Sequence, residues 1–172
     1  ILIEKIIKGM TEQGIETVEV RNLIQTKEHK KWAEDFRETE NNLFVFPLYV
    51  HAMPGSVMKF FETLQPIHSK DAHMAFFVQS GFPETSQSYY LRPYLEILTK
   101  RLGVSYDGII IKGGMEGTRI TPEKSNKKLF DLIEQIGRTY ATTGIMDKSL
   151  KKEFEKEERM SKRAQFGKKM FF

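Results

Sequence analysis

The chain has 172 residues, 40% of them hydrophobic and 12% aromatic, which is the length and make-up of one globular domain with a sizeable core. It has no cysteine, which excludes disulfides, thiolate metal sites, cysteine-held iron–sulfur clusters and a cysteine nucleophile. The formal charge of +4 belongs to the C-terminal segment, where residues 148–172 carry nine Lys/Arg against four Glu, so a basic nucleic-acid face on the body is not indicated.

No apolar run approaches the roughly 20 residues that span a bilayer. The opening residues, ILIEKIIKGM, are interrupted by charge and are not a signal peptide. They place Ile3, Ile6, Ile7 and Met10 on one helical face, and Gly14 is placed to close that helix. No capping residue precedes them, and the chain does not begin with methionine. The expectation is that residue 1 lies within or at the start of a helix whose upstream context is missing.

Residues 15–20 (IETVEV) alternate apolar and polar, the pattern of a half-buried edge strand. Residues 27–37 form a modest helix that pairs Trp32 with Phe36. The run 43–46 (LFVF) is wholly apolar, as in a central parallel strand covered on both faces. Residues 55–64 repeat at Val57, Phe60, Phe61 and Leu64, an amphipathic helix. A second apolar strand, 74–78 (MAFFV), leads into a polar loop at 80–88. Residues 90–102 carry Leu91, Leu95, Leu98 and Leu102 on one stripe, ending at Gly103. A third buried strand, 108–111 (GIII), precedes the turn GGMEG. Thr121 and Pro122 then open a helix with Leu129, Leu132, Ile133, Ile136 and Tyr140 inward. Residues 146–172 read as a charged helical extension anchored by Leu150, Phe154 and Phe166.

Strands separated by helices predict a parallel sheet with helices on both faces. Ligands of such sheets bind outside the carboxyl ends of the strands. Three loops leave those ends, at 47–55, 79–88 and 112–118.

GGMEG lacks the spacing of a dinucleotide fingerprint, with no helix expected directly after it, and reads as a turn more readily than as a phosphate loop. The four histidines, His29, His51, His68 and His73, show no metal-ligand spacing. His51 lies on the first of the three loops, where it is either an idle loop residue or a contact to a ring-shaped ligand. Ser80-Gly81 follows a strand without the nucleophile elbow that a small hydrolase would need. A receiver domain would carry an acid where Pro47 stands. The loop after Pro47 is the informative one. Pro47 is expected to end the ladder, leaving the N–H groups of residues 48–51 to find partners. A planar ligand with polar edges could use them while lying against Tyr49 or Met53. Pro54-Gly55 opens a helix whose N-terminus favours negative charge in the same space. Ser80, Gly81 and Phe82 offer a donor, close approach and an aromatic face from the next strand.

Pro47-Leu48-Tyr49-Val50, then Met53-Pro54-Gly55, then Lys59-Phe60-Phe61-Glu62, resembles a segment of the flavodoxin-like NAD(P)H-dependent FMN reductases. The resemblance extends through MAFFVQSGFPE at 74–84 and covers residues 1–145, leaving 146–172 as an extension. It implies a three-layer α/β/α sandwich on a five-stranded parallel sheet, and an FMN whose ring rests on Pro47, Leu48, Tyr49, Val50, His51, Met53, Ser80, Gly81 and Phe82. It implies hydride transfer from NAD(P)H through FMN to an unidentified acceptor, with no catalytic acid or base to assign. A homodimer in the cytoplasm is the matching expectation, with no nucleic-acid or membrane partner. The family's first strand and phosphate loop would lie upstream of Ile1, so the resemblance implies missing sequence there and an FMN site left empty in a structure that begins at Ile1. The alternative is a non-catalytic flavodoxin-like binding or interaction module that does not hold flavin. The cysteine cluster of related iron–sulfur flavoproteins is absent from RNLIQTKEHKKW.

Overall fold

The computed structural model describes residues 1–49, 52–67, 71–82 and 85–155. Three strands, β1 (Asn41–Leu48), β2 (His73–Ser80) and β3 (Ser105–Lys112), pair in parallel in the order β1-β2-β3. Among the described residues six α-helices flank them: α1 (Leu2–Thr11), α2 (His29–Glu38), α3 (Gly55–Thr63), α4 (Leu91–Leu102), α5 (Glu123–Thr143) and α6 (Lys148–Phe154).

Alternation along the strands divides the core. Phe46, Leu48, Phe76, Val78, Ile109 and Ile111 face α2, α3 and α4, where they meet Phe36, Val57, Phe60, Phe61, Leu91 and Leu95. Ala75, Phe77 and Ile110 face α1, α5 and α6, and meet Ile6, Ile133, Ile136, Leu150 and Phe154. β2 is covered on both faces, with five consecutive residues from Met74 to Val78 wholly buried. Each large apolar side chain so placed stabilises the fold by about 1.5–3 kcal/mol.

α1 and α5 cross at backbone contact. A Cβ on Gly9 would lie 2.0 Å from Glu134 O, and one on Gly137 would lie 2.0 Å from Ile6 O. Two glycines therefore set the distance between these helices. Lys8 reaches Glu134 at 2.8 Å and Lys5 reaches it at 3.4 Å, flanking the crossing with charge.

Two sequence expectations are corrected. Residues 15–20 join no ladder, and Ile15 and Val20 are exposed. An isolated extended segment pairs only if a neighbouring strand lies within reach, and the described sheet ends at β1. Among the described residues LFVF has a strand partner on one side only. Pro47 does not end its strand either. It sits in register opposite Gln79, and Leu48 opposite Ser80. The cause is the alternation of a parallel ladder. His73 N–H donates to Glu40 O at 2.7 Å, so the even-numbered residues of β1 bond β2 and the odd-numbered ones face outward. The N–H that Pro47 lacks would have pointed to the open edge, where proline is tolerated.

The two edges of the sheet differ. On β1, the N–H groups of Asn41, Leu43 and Val45 face outward without a backbone partner among the described residues. On β3, Met146 N–H donates to Asp107 O at 2.9 Å, and α6 and the 3-10 turn Thr85–Ser88 pack against the strand. Asp147 caps α6 by accepting from Ser149 N and Leu150 N. Leu150 and Phe154 are buried as expected, and Phe166 lies outside the described residues. α5 starts one residue later than its sequence signal, because the Thr121 hydroxyl bonds Gly117 O instead of capping the helix.

Candidate functional site

Parallel pairing brings the carboxyl ends of all three strands to one side of the sheet. Because Leu48 stands opposite Ser80, the segments leaving β1 and β2 start side by side, about 4.8 Å apart.

The segment after β1 turns back at once. Tyr49 N–H donates to Ala52 O at 3.0 Å, and Ala52 N–H donates to Tyr49 O at 2.9 Å. The Tyr49 N–H, expected to be free for a ligand, is therefore used within the turn. Val50 and His51 lie outside the described residues. The Tyr49 side chain is 65% exposed, while Leu48 and Met53 beneath it are buried in the core. α3 then starts at Gly55, with its free N–H groups at the same end of the sheet.

The segment after β2 is held by its own serine. Ser80 is buried, and its Oγ donates to Phe82 O at 3.1 Å. The same carbonyl accepts from Gly114 N–H at 2.8 Å, which ties the loop after β3 to the loop after β2. Gly114 has φ +72°, in the left-handed region where only glycine is unstrained. The GGMEG turn runs directly into a 3-10 segment, Met115–Arg119, that buries Met115. Phe82 is left 62% exposed, and a Cβ on Gly81 would find only ordinary contact.

The structure thus brings Leu48, Tyr49, Met53, Ser80, Gly81 and Phe82 to one end of the sheet. Tyr49 and Phe82 present themselves to solvent. Leu48, Met53 and Ser80 do not, and act as support. Two residues went unremarked in the sequence. Lys112, 6% exposed, ends β3 at this side, and the sign of it was a charge directly after four apolar residues. Gly114 was seen only as part of a turn, since a single N–H bond to a distant loop leaves no periodic trace.

The other polar clusters lie elsewhere. At the amino end of the sheet, His73 Nδ1 sits 3.0 Å from Asp107 Oδ1. A shallow cleft near the start of β1 is lined by Lys31, Glu34 and Arg37, but its Arg21 is already paired with Glu19 and Asp35. No group of residues among those described could hold a metal ion, and none of their helices is long and apolar enough to cross a membrane.

The sequence matches no protein-family model and no curated protein. Solved structures do match. An apo NADH:FMN oxidoreductase superposes with a TM-score of 0.59 at 12% identity, covering 87% of this chain and 84% of that one. The chain has the flavodoxin-like fold. An azoreductase from Bacillus anthracis matches with a TM-score of 0.53 at 11% identity, over 80% of this chain and 89% of that one. A thermophilic tryptophan halogenase from Streptomycin violaceusniger also matches at 0.53, with 15% identity over 83% and 88% of the two chains. The flavodoxin-like fold is thus shared with proteins named for different activities, so the function has to be argued from the site.

Proposed function

We propose that this protein is a flavin-dependent oxidoreductase that passes hydride from NAD(P)H through FMN to a second acceptor. The observation that carries the reading is the pair of exposed aromatic side chains, Tyr49 and Phe82, at the ends of two in-register parallel strands. Exposed aromatics on anchored loops suit a flat ligand better than they suit solvent. FMN, when bound, supplies hydride chemistry that side chains lack.

The chain's own residues bind and orient. Tyr49 and Phe82 offer ring faces, and Gly81 lets a planar edge approach the backbone. Leu48 and Met53 form an apolar floor, continuous with Pro47. Ser80 acts by holding the Phe82 carbonyl, and so fixes the loop rather than donating to the ligand. Val50 and His51 are included as further contacts to the ring. The N-terminus of α3 favours a negatively charged group at this end. No side chain is assigned as acid or base. The flavodoxin-like domain is taken as residues 1–145 and the extension as 146–172. The protein is placed in the cytoplasm, as a homodimer, with a nicotinamide nucleotide and an unidentified acceptor as its small-molecule partners and no nucleic-acid or membrane partner. A cysteine-free chain is at home in a reducing compartment.

A second reading is a non-catalytic flavodoxin-like module. The spent donors, Tyr49 N–H and Ser80 Oγ, favour it. Titrating the protein with FMN separates the two. Quenching of flavin fluorescence, followed by oxidation of NADH or NADPH on addition of a quinone or azo dye, is the expected result. FMN fluorescence unchanged at protein concentrations up to about 100 µM would refute the enzyme reading, since no useful affinity lies beyond that range.

A further inference from the structure

The C-terminal extension does more than cover the edge of β3. α6 is anchored there by Leu150 and Phe154, both buried, and the Phe154 ring meets Phe77 edge-on at 5.9 Å. Glu155, the residue after α6, then reaches two other elements at once. Its backbone carbonyl accepts from the Thr85 hydroxyl at 3.3 Å. Its carboxylate pairs with Arg92 in the first turn of α4. Arg92 in turn lies over the Tyr89 ring at 4.2 Å, and the Tyr89 hydroxyl stands 3.5 Å from the Thr85 hydroxyl. Thr85, Tyr89, Arg92 and Glu155 close a ring of contacts that spans 70 residues of sequence.

Burial gives that ring its strength. The Arg92 and Glu155 side chains are 26% and 13% exposed, so the pair is shielded from the screening that weakens surface ion pairs. Thr85 is 1% exposed. A hydroxyl so buried needs an acceptor, and Glu155 O supplies it.

The position of Thr85 gives the ring its meaning. Thr85 follows Phe82 by three residues. The start of this loop is fixed by Ser80 Oγ and Gly114 N–H, which both bond the Phe82 carbonyl. Its far end is fixed by Glu155. A segment pinned at both ends opens less often than one pinned at its start alone.

We infer that Glu155 is a positioning residue for the candidate site: by holding Thr85 and Arg92, it ties the C-terminal extension to the loop that presents Phe82. The extension is then part of the frame of the site. The inference rests on the flavin reading above only for the ligand that Phe82 meets; the tie itself stands on the contacts.

Hydrogen exchange of the full chain tests the tie, and FMN titration tests its purpose. Thr85→Val removes the hydroxyl at nearly constant volume, and Glu155→Lys sets like charge against Arg92. Each should raise amide exchange of residues 85–90 by about tenfold or more, while residues 95–102 of α4 keep their wild-type rates. Adding Arg92→Glu to Glu155→Lys re-forms the pair and should restore protection. Lys152→Gln, exposed on α6, should change nothing. Glu155→Lys should also weaken FMN binding, by no more than the about fivefold expected from deleting the Phe82 ring. In a Phe82→Ala background it should cost no further affinity, because a residue that acts through Phe82 then has nothing to position. Unchanged exchange at 85–90 in either single variant would overturn the tie, whether or not FMN binds. Affinity losses that add across Glu155→Lys and Phe82→Ala would overturn the action through Phe82. A wild type that shows the exchange pattern but binds no FMN would refute the flavin reading and leave the tie standing.

Discussion

Replacing Gly137 with alanine sets two physical effects against each other. In an exposed helix interior the change would stabilise by about 1 kcal/mol, through helix propensity alone. Here the added Cβ would stand 2.0 Å from Ile6 O and 3.1 Å from the Gly9 Cα. An ordinary carbon–oxygen contact is about 3.4 Å, and the obstruction is backbone, which cannot rotate away. α1 would have to retreat from α5 by more than about 1 Å. That retreat loosens Ile6 and Met10, both buried at the crossing, where overpacking costs about 1–3 kcal/mol and lost burial adds to it. After subtracting the propensity gain, Gly137→Ala should destabilise the protein by about 2–4 kcal/mol. Urea unfolding followed by circular dichroism would read this as a midpoint lowered by about 1–2 M with an unchanged slope. Gly9→Ala should act alike, and the double variant should cost less than the sum, because either methyl alone separates the helices. A midpoint that stays put or rises in Gly137→Ala would refute the close crossing.

Three further outcomes are expected. Tyr49→Ala and Phe82→Ala should each weaken FMN binding by about fivefold, as lost ring contacts of about 1 kcal/mol require, while both side chains are too exposed to shift the urea midpoint; fluorescence titration and unfolding read the two quantities separately. Glu134→Gln should lower stability near neutral pH and lose its effect under acid. A hydrogen bond from Lys8, aided by Lys5, holds the Glu134 carboxyl below its usual range, and Glu134 in turn raises Lys8. The pair's contribution is therefore present above the ordinary Glu value of about 4.3, falls away as pH drops through the lower folded value, and falls again at high pH as Lys8 deprotonates. Thermal melts of both proteins from neutral into acid pH check the shape; a gap that stays constant as the pH falls would contradict it. Tyr140→Phe should hold or raise stability by up to about 1 kcal/mol, because its hydroxyl is buried without a hydrogen-bond partner among the described residues, and burial beside Asp107 pushes the phenol far above its ordinary range. A loss of more than 1 kcal/mol in urea unfolding would mean that the hydroxyl has a partner.

What the sequence revealed and what it hid follow from the range of each interaction. MAFFV and GIII were legible because unbroken apolar runs between helices have few other uses. The Leu91–Leu95–Leu102 stripe was legible because a helical period repeats the same requirement several times. The one-sided pairing of LFVF among the described residues was not, since its composition is that of a strand buried on both faces and its neighbours are decided by pairing alone. IETVEV carried a strand pattern, but alternation is only a local preference, and without a partner in reach it gives no ladder. Pro47 misled because its effect depends on which way one missing N–H points, and that is fixed by register. Gly9 and Gly137 leave no periodic trace in their helices; only the crossing explains them. At the site, the aromatics Tyr49 and Phe82 were found from their positions after strand ends. The bonds that occupy Tyr49 N–H and Ser80 Oγ arise from turn geometry over two or three residues, which composition does not encode.

The outward edge of β1 behaves as a ruler with a stop. From Asn41 to Val45 it offers three donors spaced two residues apart, a length of about 13 Å. Pro47 then breaks the series, and Tyr49 spends its N–H on its own turn. A strand added along this edge can be held over that short span and no further toward the carboxyl end. Growth past the proline therefore lacks donors, which guards Tyr49 and the neighbouring loops from being drawn into an extending sheet. One ring closure at position 47 thus separates the part of the molecule that can recruit backbone from the part that must stay free to meet a ligand.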